Sequence, residues 1–132
     1  MIGIDTNILV RYLTEDDIDQ ADLANKLISR YVNCERSIFI NNIVICELIW
    51  VFERGYKYRK EQIVALIKEI LSTIEFNFEN HEILWLALKV YEKSSADFSD
   101  ILIGKTNAYL GCHTTYSFDS KASSLEEFKL LL

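Results

Sequence analysis

Short apolar runs of strand character alternate along this chain with stretches of helical periodicity, and that alternation narrows the fold more than any other feature. Met1–Ile4 reads as a strand leading into a helix over Ile8–Leu13. Asp17–Val32 carries apolar residues at helical spacing, and Ser37–Ile40 is a second strand. Asn41 and Asn42 offer an N-cap for a helix running to about Arg54 and closed by Gly55. Ile63–Leu71 forms another amphipathic stripe, Ile74, Phe76 and Phe78 alternate as a strand does, and Leu84–Tyr91 returns to helical spacing. Phe98–Tyr109 reads as a helix ending at Gly111, with strands over His113–Phe118 and Phe128–Leu131. Strands separated by helices require crossover connections. The expectation is therefore an α/β fold with a mostly parallel sheet covered on both faces. Sites in such folds form outside the carboxyl ends of the strands.

Composition supports a single domain over residues 1–132. Half the residues are hydrophobic, enough to build a core, and no repeat, linker or low-complexity tract interrupts the pattern. The longest apolar stretch, Ile38–Phe52, spans 15 residues and contains Asn41, Asn42 and Glu47, whereas a membrane span needs about 20. With no basic lead-in before Asp5, the expectation is a cytoplasmic protein. Cys34, Cys46 and Cys112 are odd in number and far apart, which reads as small buried hydrophobes rather than a disulfide framework. A net charge of −6 sits awkwardly with a nucleic-acid ligand unless cations are clustered locally or the acids surround a metal ion.

The acids themselves are placed unusually. Glu47 is the only charge among the ten residues Ile43–Phe52, so it either pairs with a buried Arg, emerges at a helix edge or serves a site. Asp5 follows the first strand, where it suits an N-cap as well as a ligand. Asp119 ends the run Thr114–Phe118, where a turn residue is equally at home. Asp97 and Asp100 lie three apart at a helix start; Asp97 suits the cap, and Asp100 precedes the apolar Ile101–Ile103. Taken together, Asp5 and Asp119 fall at strand ends, Asp100 at a helix start and Glu47 in an apolar helix, on one expected rim. Like charges in that number need a cation between them, and oxygen-only donors select a hard ion such as Mg²⁺ or Mn²⁺. Metal-assisted phosphoryl chemistry is the implied reaction class.

The residues just named resemble those of the PIN-domain family, most closely its VapC-type toxins. Met1–Leu13 is similar to the family's opening D-T-N strand and turn, and Cys46–Val51 to the helix holding its Glu. Ala96–Ile103 is similar to an A-D-F-x-D-A-L-I segment, and Ser117–Ala122 to a T-F-D-x-K-A segment, with Ser117 where Thr is commoner. Four such motifs in register span nearly the whole chain. The resemblance implies a three-layer α/β/α fold around a central five-stranded, mostly parallel sheet. It implies endoribonuclease activity dependent on one or two Mg²⁺ or Mn²⁺ ions, a homodimer, and a small antitoxin partner. By the same resemblance Asp5, Glu47, Asp100 and Asp119 form the catalytic quartet, with Asp5, Asp100 and Asp119 on the metal. Asp97 and Ser117 are auxiliary, and Thr6 and Asn7 orient Asp5.

For the RNA itself, Arg54, Lys57, Arg59 and Lys60 give four cations in seven residues, interleaved with Tyr56 and Tyr58. A solvated connector or a protein contact explains that cluster equally well. Arg11 and Lys121 lie nearer the acids in sequence. His81 and His113 have no metal-ligand spacing. A receiver-like signalling domain needs an Asp after the third strand, which Thr73–Phe78 does not supply, and a haloacid-dehalogenase-type phosphatase needs an Asp where Asn7 stands. The remaining alternative is a non-catalytic RNA- or protein-binding module of the same fold.

Overall fold

The computed structural model describes residues 1–132, which divide into two compact units, Met1–Glu79 and Asn80–Leu132. In the first unit three strands, β1 (Ile2–Gly3), β2 (Ile38–Ile40) and β3 (Phe76–Phe78), form a parallel sheet in that order. Ile38 pairs with Ile2 on one side and Phe76 on the other. Ile38 and Ile40, like Phe76 and Phe78, are buried on one face of the sheet, while Phe39 and Asn77 between them are half-buried.

Helices α1 (Thr6–Leu13), α2 (Ile18–Ser29), α3 (Asn42–Trp50) and α4 (Lys60–Leu71) complete this unit. Their starts follow from capping chemistry. Asp5 Oδ1 accepts from Ile8 N at 3.1 Å, Asp17 Oδ1 from Gln20 N at 3.1 Å, and Asn41 Oδ1 from Val44 N at 3.0 Å. Asp5 and Asn41 each lie just past a strand, so one residue both ends the strand and starts the helix. The helix expected to run to Arg54 changes character after Trp50. Val51–Gly55 widens into a π-helical turn, with Tyr56 N donating to Val51 O at 3.2 Å. The left-handed residue that turns the chain is Lys57, with φ of 57°, and not Gly55. Packing explains this: the widened turn stacks Phe52 against Tyr56 and Tyr58 at centroid separations of 5.0 and 4.8 Å.

The second unit holds α5 (His81–Lys93), α6 (Phe98–Tyr109), β4 (Thr115–Ser117) and β5 (Phe128–Leu130), with a 3₁₀ turn at Ala122–Ser124. Tyr91 of α5 meets Phe98 of α6 edge to face at 5.8 Å. Gly104 lets α6 close on β5, since a Cβ there would fall 2.6 Å from the Phe128 ring. Lys105 Nζ clamps the same contact at 2.9 Å from Glu127 Oε2, and Asn107 Nδ2 donates to Thr115 Oγ1 at 3.0 Å. The chain turns after α6 at Gly111, whose φ of 104° suits glycine, as its position after the helical stripe anticipates.

The α/β class and the parallel pairing agree with the sequence. The single five-stranded sheet does not: β4 and β5 pair in parallel as a separate two-stranded sheet. Their composition explains it. A central parallel strand is apolar on both faces, whereas Tyr116, Lys129 and Leu130 stand exposed. Burial of all three cysteines is also corrected. Cys46 is half-buried, but Cys34 and Cys112 sit exposed in the turns after α2 and α6. Burial, and then the Glu47 charge beside it, push the Cys46 thiol up to about 11, consistent with an inert packing residue.

Candidate functional site

Each unit assembles part of the expected acidic set. In the first, Asp5 stands exposed past the end of β1, one oxygen engaged in capping α1. The next residue, Thr6, donates its hydroxyl to Glu47 Oε1 at 2.6 Å. Glu47 is therefore fixed beside the α1 start by a strong hydrogen bond to a charged acceptor. Thr6 was expected to orient Asp5; its hydroxyl orients Glu47 instead. Asn7 is exposed on the first turn of α1.

Glu47 is not buried. Helix α3 buries Val44, Ile45, Leu48 and Ile49 but leaves a stripe of Ile43, Glu47 and Trp50 exposed, spaced four and three residues apart. Glu47 emerges at the helix edge rather than pairing with a buried Arg, and the Thr6 bond adds a second constraint. Glu79 was not among the acids singled out from sequence. It occupies the carboxyl end of β3, where its Oε1 accepts from Asn42 N at 3.1 Å. The same strand-end rule that drew attention to Asp5 would have found it.

In the second unit Asp97, Asp100 and Asp119 act on one another. Asp97 holds the N-cap position of α6 but makes no capping bond with its side chain. Asp100, half-buried in the first turn, has its carboxyl pushed above the ordinary range by burial first, then by the charges of Asp119 and Asp97. Asp119 is held by a tight local network. Its N–H donates to Ser117 Oγ at 2.9 Å, its Oδ1 accepts from Lys121 N at 2.9 Å, and its carbonyl accepts from Ser123 Oγ at 2.7 Å. The Ser117 hydroxyl oxygen thus lies against the Asp119 backbone. Lys121 is exposed beside the same carboxylate.

The expected RNA-binding cations divide between structural and open positions. Arg11 Nε donates to Gln20 Oε1 at 2.8 Å, which turns it toward the start of α2. Arg54 lies 5.3 Å over the Trp50 ring. Lys57 makes the left-handed turn, and Arg59 caps α4 through a bond from its N–H to Gln62 Oε1 at 2.9 Å. Lys60 opens α4. The cluster is a helix–helix connector. His81 accepts from Trp85 Nε1 at 3.2 Å, and His113 is exposed.

The donor chemistry fits a hard divalent cation, because every candidate ligand is a carboxylate and no Cys or His stands among them. The side chains nevertheless stop short of a cage: no three His, Cys, Asp or Glu are drawn into metal-holding range. No charged side chain is fully buried either, so the expected rim is a set of surface and half-exposed acids.

With the acids so arranged at strand ends and at a helix start, the family follows: the chain belongs to the PIN domain family, whose model matches residues 2–127. It is similar to a VapC ribonuclease of Aquifex aeolicus (strain VF5), with 25% identity over 122 residues, 92% of this chain and 90% of that protein. No helix is long and apolar enough to cross a membrane.

Proposed function

We propose that this chain is a divalent-metal-dependent endoribonuclease and the toxin of a toxin–antitoxin pair, acting in the cytoplasm as a homodimer. The observation that carries the reading is the Asp97–Asp100–Asp119 cluster, in which burial first, and then the charges of Asp119 and Asp97, hold the Asp100 carboxyl above its usual range. Membership of the PIN domain family and likeness to a protein named a ribonuclease support it. In this reading the quartet inferred from sequence works as one site: Asp5, Asp100 and Asp119 hold one or two Mg²⁺ or Mn²⁺ ions. Bound there, such a cation stabilises charge on the scissile phosphate and lowers the pKa of an attacking water.

The chain's own groups do the rest. Glu47, held through Oε1 by Thr6, keeps its second oxygen for orienting the water and accepting its proton. Lys121, beside Asp119, meets the phosphate. Asp97 adds negative charge that strengthens cation binding at Asp100. In-line attack by water breaks the P–O3′ bond, leaving a 5′-phosphate and a 3′-hydroxyl without use of the 2′-hydroxyl. Arg11 and the Arg54–Lys60 connector are assigned to more distant RNA or to the antitoxin.

Asp5→Asn is the natural test, since asparagine caps a helix as well as aspartate does and the fold should survive. The wild-type chain should cut RNA with Mg²⁺ or Mn²⁺ and lose activity to chelation. The variant should keep its circular dichroism and lose more than the roughly 10–100-fold typical of an orienting residue. Its expression should no longer arrest growth. Full metal-dependent activity in Asp5→Asn would refute the assignment, and an inert wild type would favour the non-catalytic binding module.

A further inference from the structure

Within the second unit, a groove of about 600 Å³ runs between the end of α5 and the 3₁₀ turn. Lys89 and Lys93, one helical turn apart on α5, line it with Ser94, Ser95, Ser124 and Leu125. We propose that this groove is a docking track for the phosphodiester backbone of single-stranded RNA, gripped by Lys89 and Lys93. The inference rests on the ribonuclease reading and extends it to residues that neither motif nor charge clustering singled out.

Three observations converge on it. The first is charge. The unit from Asn80 onward contains five lysines and no arginine, and Lys105 is committed to Glu126 and Glu127. Lys89 and Lys93 are exposed and form no salt bridge, so their charge is available to a ligand.

The second is connection to the acids. One wall is the Ser94–Ser95 turn, fixed by Ala96 N donating to Ser94 Oγ at 3.0 Å, and it leads within two residues to Asp97. The other is the 3₁₀ turn, where Ser124 Oγ donates to Lys121 O at 2.6 Å and Ser123 Oγ to Asp119 O at 2.7 Å. Both walls are thus continuous with segments that present the acidic cluster. That continuity favours a strand of RNA bound at the acids over an unrelated acidic peptide as the occupant.

The third is shape. Leu125, 8% exposed, supplies an apolar floor between cationic and hydroxyl walls. An open channel with charge on one wall suits a ribose-phosphate chain that must enter and leave.

The test uses the full chain carrying Lys89→Gln and Lys93→Gln together. Both side chains are exposed, so folding should be unaffected, and neither belongs to the proposed catalytic set. Binding of a short single-stranded oligoribonucleotide would be measured by fluorescence anisotropy across a salt series, with Asp5→Asn in both proteins to prevent cutting. The double variant should bind about tenfold more weakly, and its salt dependence should flatten by roughly 1.4, about 0.7 per lost phosphate contact. In the active background KM should rise with kcat held, and Lys89→Arg with Lys93→Arg should restore binding. Unchanged affinity and slope in a chain that still cuts RNA would overturn the groove alone. A wild type that neither binds nor cuts RNA would overturn the ribonuclease reading first, and this assignment with it. RNA affinity retained while binding to an oligoglutamate peptide is lost would overturn it in favour of an acidic protein partner.

Discussion

The acids of the two units are held in opposite ways. Asp5 and Glu47 each accept a hydrogen bond, from Ile8 N and from the Thr6 hydroxyl, so their charge is met by donors of the chain. Asp100 instead faces Asp97 and Asp119, and its carboxyl rises because burial and two like charges oppose ionisation. The first unit meets both carboxylates with donors; the second orients Asp119 through Lys121 N but leaves Asp100 with burial and like charges opposing its ionisation. In the proposed function, this difference would suit Glu47 to placing the attacking water and Asp100 to holding the cation.

Three substitutions would break or sharpen that contrast. Thr6→Val removes the donor that fixes Glu47 and should cost roughly 10–100-fold in cleavage rate with metal affinity unchanged, while Thr6→Ser restores activity. Kinetic assays with parallel Mn²⁺ titrations would check this, and equal losses in both quantities would place Thr6 with the metal instead. Gly104→Ala acts on the scaffold that carries Asp100. A methyl 2.6 Å from the Phe128 ring and 3.2 Å from Glu127 Cβ should destabilise the chain by about 1–3 kcal/mol in urea unfolding. Thr6→Val should not.

The smallest effect is the pH dependence of Asp100→Asn without metal. A carboxyl whose folded pKa is raised favours the folded state when protonated, and that contribution is lost as pH rises through the folded pKa. The variant should therefore melt slightly higher than wild type near pH 7, with the gap closing below the ordinary carboxylate range of about 3.9. Thermal melts at the two pH values, in chelator, read it directly. A gap of the opposite sign would mean that Asp100 is stabilised by a donor.

Much of this was legible in the sequence, for reasons that also explain what was not. Period and capping are local, so every strand and α-helix was anticipated within a few residues, though not the π turn at Val51–Gly55 or the 3₁₀ turn, and Asp5, Asn41 and Gly111 stand where their chemistry predicts. Which strands share a sheet depends on distant pairing, and β4 and β5 separate because their exposed faces do not suit a covered centre. An apolar sequence made α3 look buried all round, yet a helix can leave a stripe uncovered, and Glu47 lies on it. The Thr6–Glu47 bond spans 41 residues, and no local pattern could have announced it. Lys89 and Lys93 belong to no motif or charge cluster, and the groove they line forms only where the distant 3₁₀ turn stands by α5.

The central claim, that acids of both units serve a single cation, is tested most directly by a Mn²⁺-binding cycle on wild type, Asp5→Asn, Asp100→Asn and the double variant. A shared ion predicts that each single change weakens binding at least about tenfold and that the double variant falls well short of the product of the two losses. Losses that multiply, or two separable sites each abolished by its own substitution, would contradict it.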